Sequence, residues 1–139
     1  MPIVKFHLAD KDISDGQIES VIEQATQIYA EVLDSPVDRI RVFVDLHAPN
    51  LIGVGGKLVS KGGKNAPFFE FIVMKGRSLE QRQAIAEQFT NILAVTLKVD
   101  KADIRGNCYT VEPENWSIAG SLASEIRKAE IEARAQASA

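Results

Sequence analysis

The chain is short of the residues that most often announce a chemistry: one cysteine, two histidines, one tryptophan, and no surplus of positive charge. A lone Cys108 cannot form an intrachain disulfide, and no charged segment followed by an apolar one stands at the start, so a reducing, cytoplasmic setting is expected. No apolar run approaches the ~20 residues that a bilayer-crossing helix needs. Sixteen Lys and Arg against nineteen Asp and Glu, a net charge of -3, leave no electrostatic footprint for nucleic acid or an anionic membrane. His7 and His47 have no carboxylate or cysteine at ligand spacing, so no metal is expected, and both read as solvated or hydrogen-bonded. Cys108 alternates into a strand and reads as buried. Glycine is concentrated at 53–63, yet Gly63-Lys64 is followed by Asn65, not the Ser or Thr of a phosphate loop, and no dinucleotide spacing is present. These glycines read as backbone turns, and no cofactor is implied.

What remains is an ordinary globular composition, 45% hydrophobic over 139 residues, suited to one compact domain or two tightly fused small units. Ile3 to Leu8 alternates, with Val4, Phe6 and Leu8 on one face, and reads as a strand. Ile18, Val21, Ile22, Ala25, Ile28, Tyr29 and Val32 have helical spacing, ending near Asp34-Ser35-Pro36. Residues 39–46 alternate again, with Arg41 on the face away from the helix. From Pro67 the order restarts. Phe68 to Met74 reads as a strand, and Ser78-Leu79-Glu80-Gln81 as a capping box. Leu79, Ile85, Phe89, Ile92, Leu93 and Thr96 form a helical stripe, and Ile104 to Val111 reads as a strand. The Ala- and Glu-rich end, from Ser121 to Ala139, reads as a final helix.

The two halves are a repeat. Pro2 pairs with Pro67, Arg41 with Arg105, Pro49 with Pro113, Gly56 with Gly120 and Ser60 with Ser124. Glu23-Gln24-x-Thr26-x-Ile28 pairs with Glu87-Gln88-x-Thr90-x-Ile92. The offset changes once, so the first copy carries one extra residue in its turn-and-helix region. The expected organisation is repeat one over 2–61, a linker over 62–66, repeat two over 67–125 and a helical tail over 126–139, within a single domain. Each unit is small, which favours side-by-side packing and further association. Pro2 carries a chemical possibility that Pro67 does not. With Met1 removed, its ring nitrogen is a free secondary amine able to take and give protons, whereas a proline inside the chain has only an imide nitrogen.

Pro2-Ile3-Val4-Lys5-Phe6-His7-Leu8, Asp34-Ser35-Pro36, Arg39-Ile40-Arg41-Val42 and Ile52-Gly53-Val54-Gly55-Gly56-Lys57-Leu58 together resemble the 4-oxalocrotonate tautomerases. Lys75-Gly76-Arg77-Ser78, Arg105 and Trp116 repeat the likeness, which covers residues 2 to about 125. The chain is thus identified as a fused, double-length member of the tautomerase superfamily. The resemblance implies an α+β fold: two tandem βαβ repeats forming a four-stranded mixed sheet with two helices on one face, plus a C-terminal helix. It also implies a homotrimer and a small-molecule carboxylate substrate.

The implied site residues follow position by position. Pro2 is the general base and then acid. Arg77 binds the carboxylate or polarises the carbonyl; its first-half equivalent, counted from the proline, is Asp12. Arg41 and Arg105 match a substrate-binding strand arginine, although either could be a surface ion-pair partner, Arg41 with Asp45 for instance. Trp116, in a loop beside Pro113 and Asn115, stands at a hydrophobic pocket position, and Lys75 is a second cation. Asp38-Arg39, Lys75-x-Arg77 and Trp116-Ser117 are also similar to malonate semialdehyde decarboxylase, in which Asp38 would assist the proline; Lys75 stands where that family has an arginine. The cis-3-chloroacrylic acid dehalogenase pattern fails at Met74. The leading expectation is a cofactor-independent keto–enol isomerase of a small 2-oxo carboxylate. A decarboxylase or hydratase in the same pocket is second, and a non-catalytic trimeric scaffold is the expectation if Met1 is retained.

Overall fold

The computed structural model describes residues 2–137; Met1, on whose removal the amine depends, and the last two residues of the expected tail lie outside them. Alternation and capping produce the expected units. β1 (Ile3–Ala9) buries Val4, Phe6 and Leu8. α1 (Asp15–Leu33) opens on Ser14, whose side chain accepts from the Gln17 amide while Gln17 answers the Ser14 N–H, a reciprocal cap that removes two orphan donors. β2 (Arg41–His47) returns parallel to β1, with Ile3 opposite Arg41. The second copy repeats this with β5 (Phe68–Met74), α2 (Leu79–Leu97), capped by the same reciprocal bonds between Ser78 and Gln81, and β6 (Arg105–Val111) parallel to β5. The copies join through an antiparallel β1–β5 pair, giving the strand order β2-β1-β5-β6. This is the four-stranded mixed sheet that the repeat leads one to expect.

Both helices pack side by side against the sheet's inner face. Phe6, Phe69, Phe71, Phe89 and Tyr29 meet there in edge-on and tilted ring contacts. The α2 stripe is narrower than its sequence suggests: Ile85, Phe89, Ile92 and Leu93 are buried, but Leu79 is 69% exposed. Leu79 is the first helical residue, where the chain has not yet turned onto the sheet. Tyr29 is fully buried, and its hydroxyl reaches the carbonyls of Ile3 (2.9 Å) and Ile72 (3.3 Å), where the β1–β5 ladder ends. That bond pins the strand immediately after Pro2.

Each copy closes with a hairpin. β3 (Gly53–Val54) and β4 (Lys57–Leu58) turn through Gly55 and Gly56, both at positive φ; β7 (Ser117–Ile118) and β8 (Ser121–Leu122) turn through Ala119 and Gly120, also both positive. Two-residue turns with both residues left-handed match the twist of the flanking strands. The chain ends in α3 (Ala123–Ile126) and α4 (Lys128–Ala137). The outer sheet face, away from α1 and α2, carries exposed Phe43, Phe68 and Tyr109. A hydrogen-bonded row crosses it through all four strands: His47 to His7 (3.0 Å), His7 to Glu70 (2.6 Å), and Tyr109 donating to Glu70 (3.2 Å). His7 holds the Glu70 carboxyl below the usual carboxylate range. Both histidines are thus hydrogen-bonded. Cys108 is half-buried against the core, and burial pushes its thiol pKa up.

Candidate active site

Pro2 is buried at the head of β1, and its carbonyl accepts from the Arg41 amide at 3.0 Å. Pro67 repeats this with Arg105 at 3.1 Å. Beside Pro2 lies a cleft lined by Leu33, Val73 and Met74 on its apolar side and by Arg39 and Arg77 on its polar side. Arg77 gets there because Gly76, at φ +111, turns the chain sharply after β5, two residues before the Ser78 cap. Half-buried, its Nη1 donates to the Leu33 carbonyl at the end of α1 at 2.8 Å, a favourable place for a cation. Burial, and then repulsion from Arg134, lower its pKa to about 10, while Glu130 and Asp34 oppose the shift. It stays charged at neutral pH, but at a cost that an incoming anion would offset.

The cleft is narrow. Its free interior of about 30 Å³ is room for one or two waters and not for an organic acid. Its outer wall is the C-terminal segment, through Arg127, Glu130 and Arg134. Next to it is a wider groove of about 380 Å³, lined by Asp38, Arg41, Trp116 and Ser117, and Arg39 and Arg127 line both spaces. Five of the seven expected site residues therefore fall in two adjoining spaces of one protomer: Pro2 and Arg77 in the cleft, Asp38, Arg41 and Trp116 in the groove. Arg41 donates to the Asp38 carbonyl at 2.9 Å, not to Asp45. Lys75 and Arg105 line neither space. Lys75 is exposed and paired with Glu112 at 2.8 Å, and Arg105, at the other edge of the sheet, donates to the Ala102 and Ile104 carbonyls.

Asp12 is not the positional match of Arg77. The extra residue of the first copy sits in the turn between β1 and Ser14, since both caps and everything after them keep one offset. The residue before the Ser14 cap is Ile13, which packs on the core. Either way that copy has no cation here. Sequence reasoning also passed over Arg39, Arg127, Glu130, Arg134 and Tyr29. Positions 127, 130 and 134 share one helix face by spacing alone, and Arg39 stands opposite the acidic Asp103 in the other copy; both signals were readable. Among the described residues no group of three His, Cys, Asp or Glu could hold a metal, and no helix is long and apolar enough to cross a membrane.

A duplicated β-α-β sheet with a buried proline heading each central strand defines the fold class. Comparisons with known proteins place the chain within it. The family model for tautomerase enzymes matches residues 2–62. 2-Hydroxymuconate tautomerase of Comamonas testosteroni is 37% identical over 60 residues, which is 43% of this chain and 95% of that protein. The enzyme of the same name from Pseudomonas sp. (strain CF600) is 34% identical over 61 residues, 44% and 95%. Among solved structures, native fused 4-OT superposes with a TM-score of 0.83 at 20% identity, over 90% of this chain and 98% of that one. FG41 malonate semialdehyde decarboxylase gives 0.69 at 19%, over 91% and 96%; these two speak for the fold. The chain belongs to the tautomerase family, as a fused, double-length isomerase of that superfamily.

Proposed function

We propose that the chain, once Met1 is removed, interconverts keto and enol forms of a small 2-oxo carboxylate with Pro2 as the proton carrier. The observation that carries this reading is the placement of Pro2 and Arg77 in one cleft whose other wall is apolar. An α-amino group ordinarily titrates near ~7.7–8.0, and apolar burial beside cations disfavours its ammonium form. Both effects favour the free base of Pro2. Its nitrogen takes the enol O–H proton; Arg77 holds the carboxylate and, with Arg39, faces the charge that develops on oxygen. The prolinium returns the proton to a carbon conjugated with the new carbonyl, so no net proton is consumed. Trp116 and Arg41 flank the groove side. The curated relatives' name points to 2-hydroxymuconate or a similar enol as the first substrate to try.

Association into a homotrimer supplies what one protomer lacks. Fused 4-OT structures with this fold are trimers, and the outer sheet face here carries Phe43, Phe68 and Tyr109 uncovered. Arg105 or Lys75 would reach a neighbour's site only across such an interface.

The test is intact mass together with ketonisation of 2-hydroxymuconate and phenylenolpyruvate. Loss of one methionine and a kcat/KM lowered about 10²–10³-fold in Pro2→Ala are expected; a retained Met1 or an unaffected Pro2→Ala rate removes the reading and leaves a scaffold. Asp38 in the groove with Trp116 and Ser117 favours a second reading, a malonate semialdehyde decarboxylase or hydratase. Turnover of malonate semialdehyde alone, lost in Asp38→Asn, would put it first.

A further inference from the structure

The cleft already holds a carboxylate. Glu130 of α4 accepts from both Nη atoms of Arg39 at 3.0 Å each, a bidentate pair. Arg127 Nε stands 4.0 Å from the same carboxylate, and that nitrogen is buried without a hydrogen-bond partner among the described residues. Arg39 pulls the Glu130 carboxyl below the usual range, helped by Arg127 and Arg134. Four arginines and one carboxylate therefore line a space beside Pro2 with room only for water, and Arg39, Arg77, Glu130 and Arg134 also line an open groove of about 550 Å³. Arg39 and Arg127, two of the cations that act on Glu130, are also the partition between cleft and groove.

We propose that Glu130 is a built-in occupant of the anion seat, and that α4 is a plug exchanged for the carboxylate of an incoming small organic acid. The inference rests on reading the cleft as an anion site, not on catalysis. An anion arriving through the Trp116 groove meets Arg39 and Arg127 first. Taking over the hydrogen bonds of Glu130 releases α4 and joins the two spaces into one large enough for an organic acid. The grip is open to exchange: Glu130 is 48% exposed, so solvent and salt screen the pair and a competing carboxylate can reach the same nitrogens. The helix adds little hold of its own, because none of its residues is buried. A neutral enol could not make this exchange, so the plug selects for charge.

The full chain and succinate, a dicarboxylate with no 2-oxo group to enolise, test this without turnover. Succinate affinity is measured by calorimetry for wild type, E130Q, E130D and E132Q, and amide exchange of residues 128–137 with and without succinate. Saturating succinate should speed exchange across α4 several-fold in wild type. E130Q should bind succinate on the order of fivefold more tightly and exchange fast without it, with E130D between. E132Q removes an exposed charge of α4 outside the cleft lining and should shift affinity less than twofold. Equal or slower α4 exchange with succinate, unchanged affinity in E130Q, an equal gain in E132Q, or no succinate binding by any chain overturns the proposal. A chain that makes the exchange yet ketonises no enol removes the isomerase reading and leaves this one; ketonisation with E130Q indistinguishable from wild type does the reverse.

Discussion

The surroundings of Pro2 and Pro67 make a controlled experiment within one chain. Both prolines are buried, both head a central strand and both accept from the amide of an edge-strand arginine. Beside Pro2 stand Arg39, Arg77, Met74 and Ser35; the residues at the matching positions of the other copy are Asp103, Ile13, Ala9 and Val99. Asp103 is tied to Lys64 at 3.3 Å. The backbone is copied while the charge is not, so the fold needs a proline and a strand here but not an arginine pair. What differs between the copies is the part free to serve chemistry.

The sharpest way to break this contrast is to change both prolines in turn. Pro2→Ala should lower kcat/KM by about 10²–10³-fold, since general-base steps contribute on that order, whereas Pro67→Ala should leave turnover within about twofold. Equal losses would mean that both copies work. Arg77→Met should cost about 10²-fold in kcat/KM and yet stabilise the fold by roughly 1 kcal/mol in denaturant, because a half-buried cation is replaced by an apolar chain. The pH sign follows. The folded-state pKa of Arg77, about 10, lies below that of a solvated guanidinium, so above it the unfolded chain binds more protons. Wild-type stability should therefore rise relative to Arg77→Met as pH climbs past 10; a falling difference would contradict the burial.

Smaller effects probe how each copy packs. Across β5 and β6, Phe69 faces Gly106, where β1 and β2 pair Val4 with Val42. A methyl at 106 would overlap the Phe69 ring. Gly106→Ala should thus cost about 2–3 kcal/mol and Val42→Ala less than about 1.5. At the second hairpin Ala119 holds φ +52 where the first has Gly55. Ala119→Gly should stabilise by about 0.5 kcal/mol, the relief of a left-handed alanine less the flexibility added to the unfolded chain. All these are read from denaturant midpoints.

Much of the fold was legible because periodicity and capping are local. Phe68–Met74 is a strand over its expected residues, and both Ser-x-x-Gln caps form. Leu79 was misread because pattern alone does not say where a helix first touches the sheet. Of the site, Pro2 and Arg77 line one cleft because each stands beside a strand end, of β1 and of β5. Lys75 and Arg105 could not be placed from spacing, since only the tertiary arrangement shows them at Glu112 and the far sheet edge. The cover supplied by Glu130 was hidden for another reason: its meaning depends on where a tail folds back.

The covalent join through residues 62–66 has an arithmetic result. With the second proline locked inside the chain, a reagent that alkylates N-terminal amines should find one target per polypeptide, where two separate half-length chains would offer two.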